Sequence, residues 1–312
     1  VAGRNNGFSK RDCRHAVIFA ISIYREKMTE FAELPYLETW YSHFTSESIV
    51  SSITEASALK RFKAKAGVVS QRSSIDEAMK ITKIEDDRLR VIENPPLVVR
   101  LDPDEVEAII QPLFRKYLRT LQDDRRTLLE RFAYEDSALR VGGVGSVGTR
   151  CYVVALAGRD VHDPLVLQLK EADKSVLAPY LRASAYGNQA QRVVSGQRLV
   201  QGIGDIFLGW IRHENGREFY WRQLRDKKAS IDPTRLSPKS LRDYAALCAS
   251  VLARAHARSG DPVQISAYLG KGDHIDEAIA TFAERYADQN ERDYETFMQA
   301  IRSGRIEAQT GI

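Results

Sequence analysis

The chain has 312 residues, 43% of them hydrophobic and 28% charged, and its net charge is +4. This is an ordinary composition for a soluble globular protein with one large or two modest domains. The charge is too small and too evenly spread to indicate nucleic-acid binding by itself, and no apolar run approaches the roughly 18 residues of a membrane span.

Cysteine usage and the first residues of the chain bear on the cellular compartment. Cys13, Cys151 and Cys248 are far apart and form no CxxC or Cys/His cluster, so neither a disulfide framework nor a metal site is expected. The opening residues lack the apolar stretch of a signal peptide. We therefore expect a cytoplasmic protein without a membrane partner. Because the chain begins with Val1 rather than Met, we also expect it to be a fragment of a longer protein.

Residues 1–135 are predicted to be mostly helical. Ser9 and Asp12 resemble a capping box at the start of the first helix, whose apolar residues then follow at helical spacing. Short strands are expected at 88–93 and 97–101. Asp102 and the residues after it predict a long amphipathic helix that reaches Phe132. A basic patch lies between the first helix and these strands, and we interpret it as a solvated helix face. It consists of Lys60, Arg61, Lys63 and Lys65.

The apolar spacing shortens toward two from Leu139 onward, which is typical of strands. The strand candidates are residues 152–156, 164–170, 205–211 and 218–224, with one helix at 188–201 and a hairpin turn at the Asn-Gly pair 215–216. Helices return at 238–256 and 274–302. The sequence thus predicts an α+β fold. It has a small antiparallel β lobe with one helix (136–230), and a mostly helical lobe built from both ends of the chain, in which 231–312 packs with 1–135.

A glycine-rich segment, G-x-G-x-x-G, lies at residues 143–148. A dinucleotide-binding fold would need a helix after this loop, but the β-forming segment 151–156 follows instead. A strand, a glycine loop and a second strand are the arrangement by which kinase-type folds cover ATP phosphates, since glycines let backbone N–H groups approach them. The candidate phosphate-binding residues of the loop are Gly143, Gly145, Ser146 and Gly148.

The next predicted strand carries Lys170. By alternation, its side chain lies on the face opposite to Leu165, Leu167 and Leu169, where it either contacts phosphates or is a solvated strand-end lysine. A kinase-type lysine is normally held by a carboxylate on the following helix. Helix 188–201 contains no Asp or Glu, so the polar candidates there are Gln191 and Gln197.

Further charged residues have two open interpretations. Those near the last strand either line a cleft for a phosphate or an acidic substrate or belong to a solvated strand edge, and they are Arg222, Arg225, Asp226 and Lys228. His256 and Asp261 superficially resemble a His-x-Asp catalytic loop. Their spacing is wrong for it, so a capping or supporting role is favoured.

Several long segments strongly resemble the bacterial family called domain of unknown function 2252. They are residues 141–156 (VGGVGSVGTRCYVVAL), 167–177 (LQLKEADKSVL), 191–201 (QRVVSGQRLVQ), 205–210 (DIFLGW), 220–230 (YWRQLRDKKAS) and 252–261 (LARAHARSGD). The resemblance implies a kinase-like fold with a permuted motif order, whose catalytic Asp segment precedes Val1. It also implies ATP and Mg²⁺ as cofactors, with the metal ligands outside this chain. The residues themselves give the candidate nucleotide contacts, which are the loop residues, Lys170, Gln191 and Arg225.

Two function hypotheses follow from these observations. The first is an ATP-binding, kinase-like domain of a phosphotransferase that acts on an unspecified acceptor. The second is a non-catalytic nucleotide-sensing or interaction module with the same fold, which the missing helix carboxylate favours. Nucleic acid is the weakest candidate partner, because the basic patches lack interleaved aromatic residues.

Overall fold

The computed structural model describes residues 1–43, 74–143, 148–224 and 231–308, and it has the predicted mixed α+β architecture. The chain divides into two compact units, a helical unit (1–67, 199–202 and 229–312) and a sheet unit (68–198 and 203–228). These limits differ from the predicted regions because the described residues from Ser74 onward pack with the sheet. The basic patch at Lys60 to Lys65 lies outside the described residues.

The described helices are α1 (Ala2–Asn5), α2 (Lys10–Glu33), α3 (Tyr36–Tyr41), α4 (Ser74–Ala78), α5 (Pro103–Glu105), α6 (Gln111–Leu118), α7 (Asp123–Leu129), α8 (Gln189–Val200), α9 (Pro238–Ser259), α10 (Pro262–Leu269) and α11 (His274–Arg302). A π-helical turn, Val106–Ile110, joins α5 to α6. The strands are β1 (Thr82–Glu85), β2 (Arg88–Val91), β3 (Val98–Arg100), β4 (Ala133–Arg140), β5 (Cys151–Ala157), β6 (Pro164–Glu171), β7 (Gly209–Arg212) and β8 (Glu218–Gln223).

The helical unit is built around α2, which packs against α9, α10 and α11. Ser9 caps α2 by accepting from the Asp12 amide, as its sequence predicts. The core between the helices contains Met28, Phe31, Ala253 and Ala257. Helices from both ends of the chain therefore form one helical body, which confirms that part of the prediction.

The sheet unit contains a six-stranded antiparallel sheet in the order β3-β4-β5-β6-β8-β7, and a separate β1-β2 hairpin. Every residue of β5 is buried, because both faces of the sheet are covered. On one face the leucines of β6 join Tyr117 of α6, whose ring stacks on Trp221 with centroids 4.9 Å apart. On the other face Val153 and Val166 pack with Leu89 of the hairpin.

The predicted helix from Asp102 to Phe132 is wrong in its continuity. Pro112 has no N–H, so the carbonyl of Ala108 does not receive the usual helical hydrogen bond from the residue four positions later. Just before it, the amide of Gln111 donates to the carbonyl of Val106, five residues back, and this bond makes the π turn. The helix ends at Leu118, and a separate helix, α7, follows. Both α6 and α7 pack against the sheet. The sheet is therefore covered by these helices as well as by the one helix, 188–201, that the sequence predicts beside it.

The predicted strand at 205–211 begins only at Gly209 in the structure. The residues before Gly209 form a turn instead of a strand. The carboxylate of Asp205 holds this turn, because it accepts from the amides of Phe207 and Gln223. Gly209 is required where the strand starts, because a Cβ there would lie 2.6 Å from the ring of Tyr117.

Candidate functional site

The glycine-rich loop joins the end of β4 at Arg140 to the start of β5 at Cys151. Gly143 and Gly148 have φ angles of +127° and +85°, which other residues adopt only with strain. The loop therefore needs glycine at both ends of the segment. Gly145 and Ser146 lie outside the described residues.

Lys170 occupies the sheet face predicted from alternation. Across the sheet it pairs with Cys151 of β5 on one side and with Tyr220 of β8 on the other. Gln168, two residues earlier on the same face, pairs with Val153 and Arg222. Lys170 is half-buried, and it lies in the row of residues next to the glycine-rich loop.

Three cations surround the buried thiol of Cys151 on this face, and we call Arg140, Lys170 and Arg222 the basic cluster. Arg140 follows Leu139, which pairs with Tyr152, so it lies beside Cys151. Burial raises the pKa of Cys151, while the charges of Lys170, Arg140 and Arg222, together with a hydrogen bond from Gln168, act in the opposite direction. The Gln168 amide donates to Sγ at 3.3 Å. The cluster thus concentrates positive charge over one end of the sheet.

The side chains of the basic cluster make no hydrogen bond or ion pair with any residue in the described part of the chain, although all three are only partly exposed. Glu171 offers no compensation, because it lies on the opposite face. Its carboxylate accepts from Arg217 at 2.8 Å and from the amide of Arg150 at 3.0 Å. Three cations on one face that are not bonded to a carboxylate are suited to an anion.

Helix α8 begins on the same face of the sheet as the basic cluster. The buried Glu218 accepts from the amide of Gln189 at 2.5 Å, and Asn188 accepts from the amide of Gln191 at 2.8 Å. The first-turn amides of α8 are thus bonded to protein side chains rather than presented to a ligand. Within the described residues, no hydrogen bond joins the side chain of Gln191 to Lys170.

Two residues show what sequence reasoning reached and missed. The sequence allows Arg222 to be either a cleft residue or part of a solvated strand edge, and the structure places it in the basic cluster. Arg140 was missed, although alternation back from the loop through Ala138 would have placed it on the face of Lys170. Arg225, Asp226 and Lys228 lie outside the described residues.

The described residues contain neither a metal-binding cluster nor a membrane-spanning helix. Across 1–43, 74–143, 148–224 and 231–308, no group of three or more His, Cys, Asp or Glu side chains is arranged to hold a metal ion. In the same ranges no helix combines the length and hydrophobicity needed to cross a bilayer.

Comparison with protein-family models gives a match over nearly the whole chain. Residues 1–300 match the model of a family described as uncharacterized protein conserved in bacteria (DUF2252). The chain belongs to this family. The segments that resembled DUF2252 in sequence include the glycine-rich loop, β6, α8 and β8, so the basic cluster lies within the matched region. No curated protein and no solved structure matches the chain.

Proposed function

We propose that this DUF2252 chain binds ATP and serves as the nucleotide-binding domain of a kinase-like phosphotransferase. The observation that carries the proposal is the basic cluster, three cations beside a glycine-rich loop without a charge partner among the described residues. A triphosphate suits such a place, because it carries several negative charges and glycines let backbone N–H groups approach its oxygens.

The order of elements supports a kinase-like interpretation. A strand, a glycine loop and a second strand precede β6, which carries Lys170, and α8 then leads to β7 and β8. In protein kinases a glycine-rich loop likewise covers the phosphates, and the lysine is on the third strand, before the helix that carries its partner. Here β8 returns beside β6, so the lysine strand lies inside the sheet.

Each residue has a distinct task in this proposal. The loop glycines, including Gly145 and with Ser146 beside it, would offer backbone N–H groups to the phosphates. Lys170 would supply a point charge, and Arg140 and Arg222 would bind phosphate oxygens through planar, two-pronged guanidinium groups. Mg²⁺ neutralises the developing charge in phosphoryl transfer, but the described residues supply no cluster that fits the ion. Gln191 and Arg225 remain proposed contacts.

A non-catalytic nucleotide-sensing module is the second candidate, and one observation favours it. In the described part of the chain Lys170 has no carboxylate partner, whereas catalytic protein kinases pair this lysine with a glutamate. Both candidates require ATP binding at the basic cluster. An ATP-hydrolysis assay on a protein that also carries the catalytic Asp segment implied by the family resemblance separates them, because only the phosphotransferase turns nucleotide over.

Calorimetric titration with ATP and with adenosine tests the proposal. Replacing Lys170 with Met removes a charge contact to phosphate, which is expected to weaken ATP binding by roughly ten- to a hundredfold. Adenosine has no phosphates, so its affinity should be low and the same for both proteins. Lys174→Met is the matched control, because Lys174 is an exposed lysine four positions away in the sequence.

The outcomes are distinct. The proposal requires that Lys170→Met weakens ATP binding while Lys174→Met leaves it unchanged. Equal ATP affinities of the wild type and Lys170→Met would remove Lys170 from the site. Equal affinities of the wild type for ATP and adenosine would remove the phosphates from the recognition and overturn the proposal.

A further inference from the structure

A cavity of about 460 Å³ lies at one edge of the sheet, away from the basic cluster. It forms where β3 leaves β4 after Arg100 and where a bulge at Glu135 shifts the register of β4. Tyr134, which lines the cavity, and Arg140 of the basic cluster are separated along β4 by about 20 Å. The two places therefore belong to one unit but not to one site.

Positive charge exceeds negative charge on the cavity wall. Arg88, Arg90 and Arg115 line it, together with the carboxylates of Glu135 and Asp136. The ion pairs of Arg88 with Glu135 and of Arg90 with Asp136 are long, 3.5 Å and 3.9 Å. Arg88 also donates to the backbone carbonyl of Glu135 at 3.4 Å, which occupies one of its several N–H donors. Arg115 makes no hydrogen bond or ion pair with another residue in the described ranges.

The two carboxylates are held mainly by backbone amides instead of by the arginines. Glu135 accepts from the amide of Leu89 at 3.2 Å. Asp136 accepts from the amides of Val91 and Ser137 at 2.8 Å and 2.9 Å. These bonds tie the β1-β2 hairpin to β4 and occupy carboxylate oxygens, so guanidinium donors remain available to a ligand.

The rest of the wall is suited to an apolar group. Leu101, Pro103 and Val106 line the cavity beside the half-buried ring of Tyr134, and its volume is within the usual range of small-molecule sites, about 300–1,000 Å³. We propose that this cavity binds a small organic anion, a carboxylate or phosphate ester with an apolar or aromatic body, whose charged end meets Arg115 and the two hairpin arginines.

Fluorine NMR with 4-fluorophenylphosphonate as the probe tests the inference. The anion should bind, and 4-fluorobenzylamine, a cation of similar shape, should not. Arg115→Gln should weaken binding of the phosphonate about tenfold, because a charged hydrogen bond is lost. Arg131→Gln, which removes an exposed arginine outside the cavity, should leave it unchanged.

A second variant separates this cavity from the basic cluster. Lys170→Met should leave phosphonate binding intact, so the inference can hold even if ATP binding fails, and the reverse is also true. Loss of phosphonate binding in Lys170→Met would place the probe at the basic cluster and overturn the inference. So would unchanged binding in Arg115→Gln, or equally strong binding of the amine.

Discussion

Lys170 and Glu171 are neighbours in sequence, but at the scale of single residues they have opposite tasks. Lys170 belongs to the basic cluster and has no hydrogen-bond or ion-pair partner among the described residues, whereas Glu171 on the other face is bonded to Arg150 and Arg217. Alternation along a strand is enough to predict that the two side chains separate. It does not predict the partners of Glu171, which come from segments 21 and 46 positions away.

The pH dependence of stability tests the role of Glu171. Burial alone would raise its pKa, but the Arg150 amide and Arg217 act more strongly together and hold the pKa below its ordinary value of 4.5. A lowered carboxyl pKa stabilises the fold at pH values above the unfolded pKa, and the contribution is lost as the pH falls through the folded value. Glu171→Gln should therefore destabilise the protein by about 1–2 kcal/mol near neutral pH.

Urea unfolding at a series of pH values measures this effect. The difference between the wild type and Glu171→Gln should be largest near neutral pH and should shrink below the ordinary carboxyl pKa. The exposed Glu214, which is bonded to Lys116, gives the control Glu214→Gln, for which a smaller difference is expected. A difference for Glu171→Gln that stays constant with pH would contradict the account.

At the scale of elements, the strands and helices were largely predictable, and their limits were less so. The alternation of apolar residues gave β5, β6 and β8, and helical spacing gave α8. The sequence pattern does not predict the break in the helix after Asp102, because the apolar stripe continues past it. Pro112 and the turn near Thr120 interrupt the helical hydrogen bonds of the backbone, not the stripe. Periodicity reports which face is buried, whereas continuity depends on hydrogen bonding.

Helix α8 offers the clearest test of an element, because its start depends on a buried carboxylate. Glu218 accepts from the amide of Gln189 and from Arg212, at 2.5 Å and 2.7 Å. Glu218→Gln removes the charge and one set of acceptor sites, and it should cost about 1–3 kcal/mol. Hydrogen exchange should become faster in the first turn of α8 and stay unchanged in α7. Unchanged exchange in α8 would show that Glu218 does not hold the helix.

At the scale of the whole molecule, each unit has its own core, and the helical unit draws on both ends of the chain. The amphipathic patterns of α2 and α9 predicted that each buries a face, and the structure shows that they pack together. The sequence could not indicate which charged side chains become buried between the helices of this unit. Asp276 of α11 is almost fully buried and is bonded to Arg25 of α2 at 3.0 Å.

Stability measurements test this connection between distant parts of the chain. Asp276→Ala leaves the guanidinium of Arg25 without its carboxylate partner. Removing one partner of a buried pair lowers the free energy of unfolding by about 3–5 kcal/mol. The control is Asp288→Ala, which breaks a solvent-exposed pair with Arg4 and should therefore have a much smaller effect on the free energy of unfolding. Equal effects of the two substitutions in urea unfolding would show that the Arg25–Asp276 pair does not join the helices.

The central claim is that the basic cluster is a single phosphate site, and the ATP affinity of one double variant tests it most directly. Lys170→Met combined with Arg222→Gln removes two of the three cations, while Lys174→Met combined with Arg159→Gln removes two exposed cations of the same unit. We expect the first double variant to lose at least about a hundredfold in ATP affinity, since each charged contact contributes tenfold or more. The second should bind ATP like the wild type. Wild-type affinity in the first double variant would contradict the account.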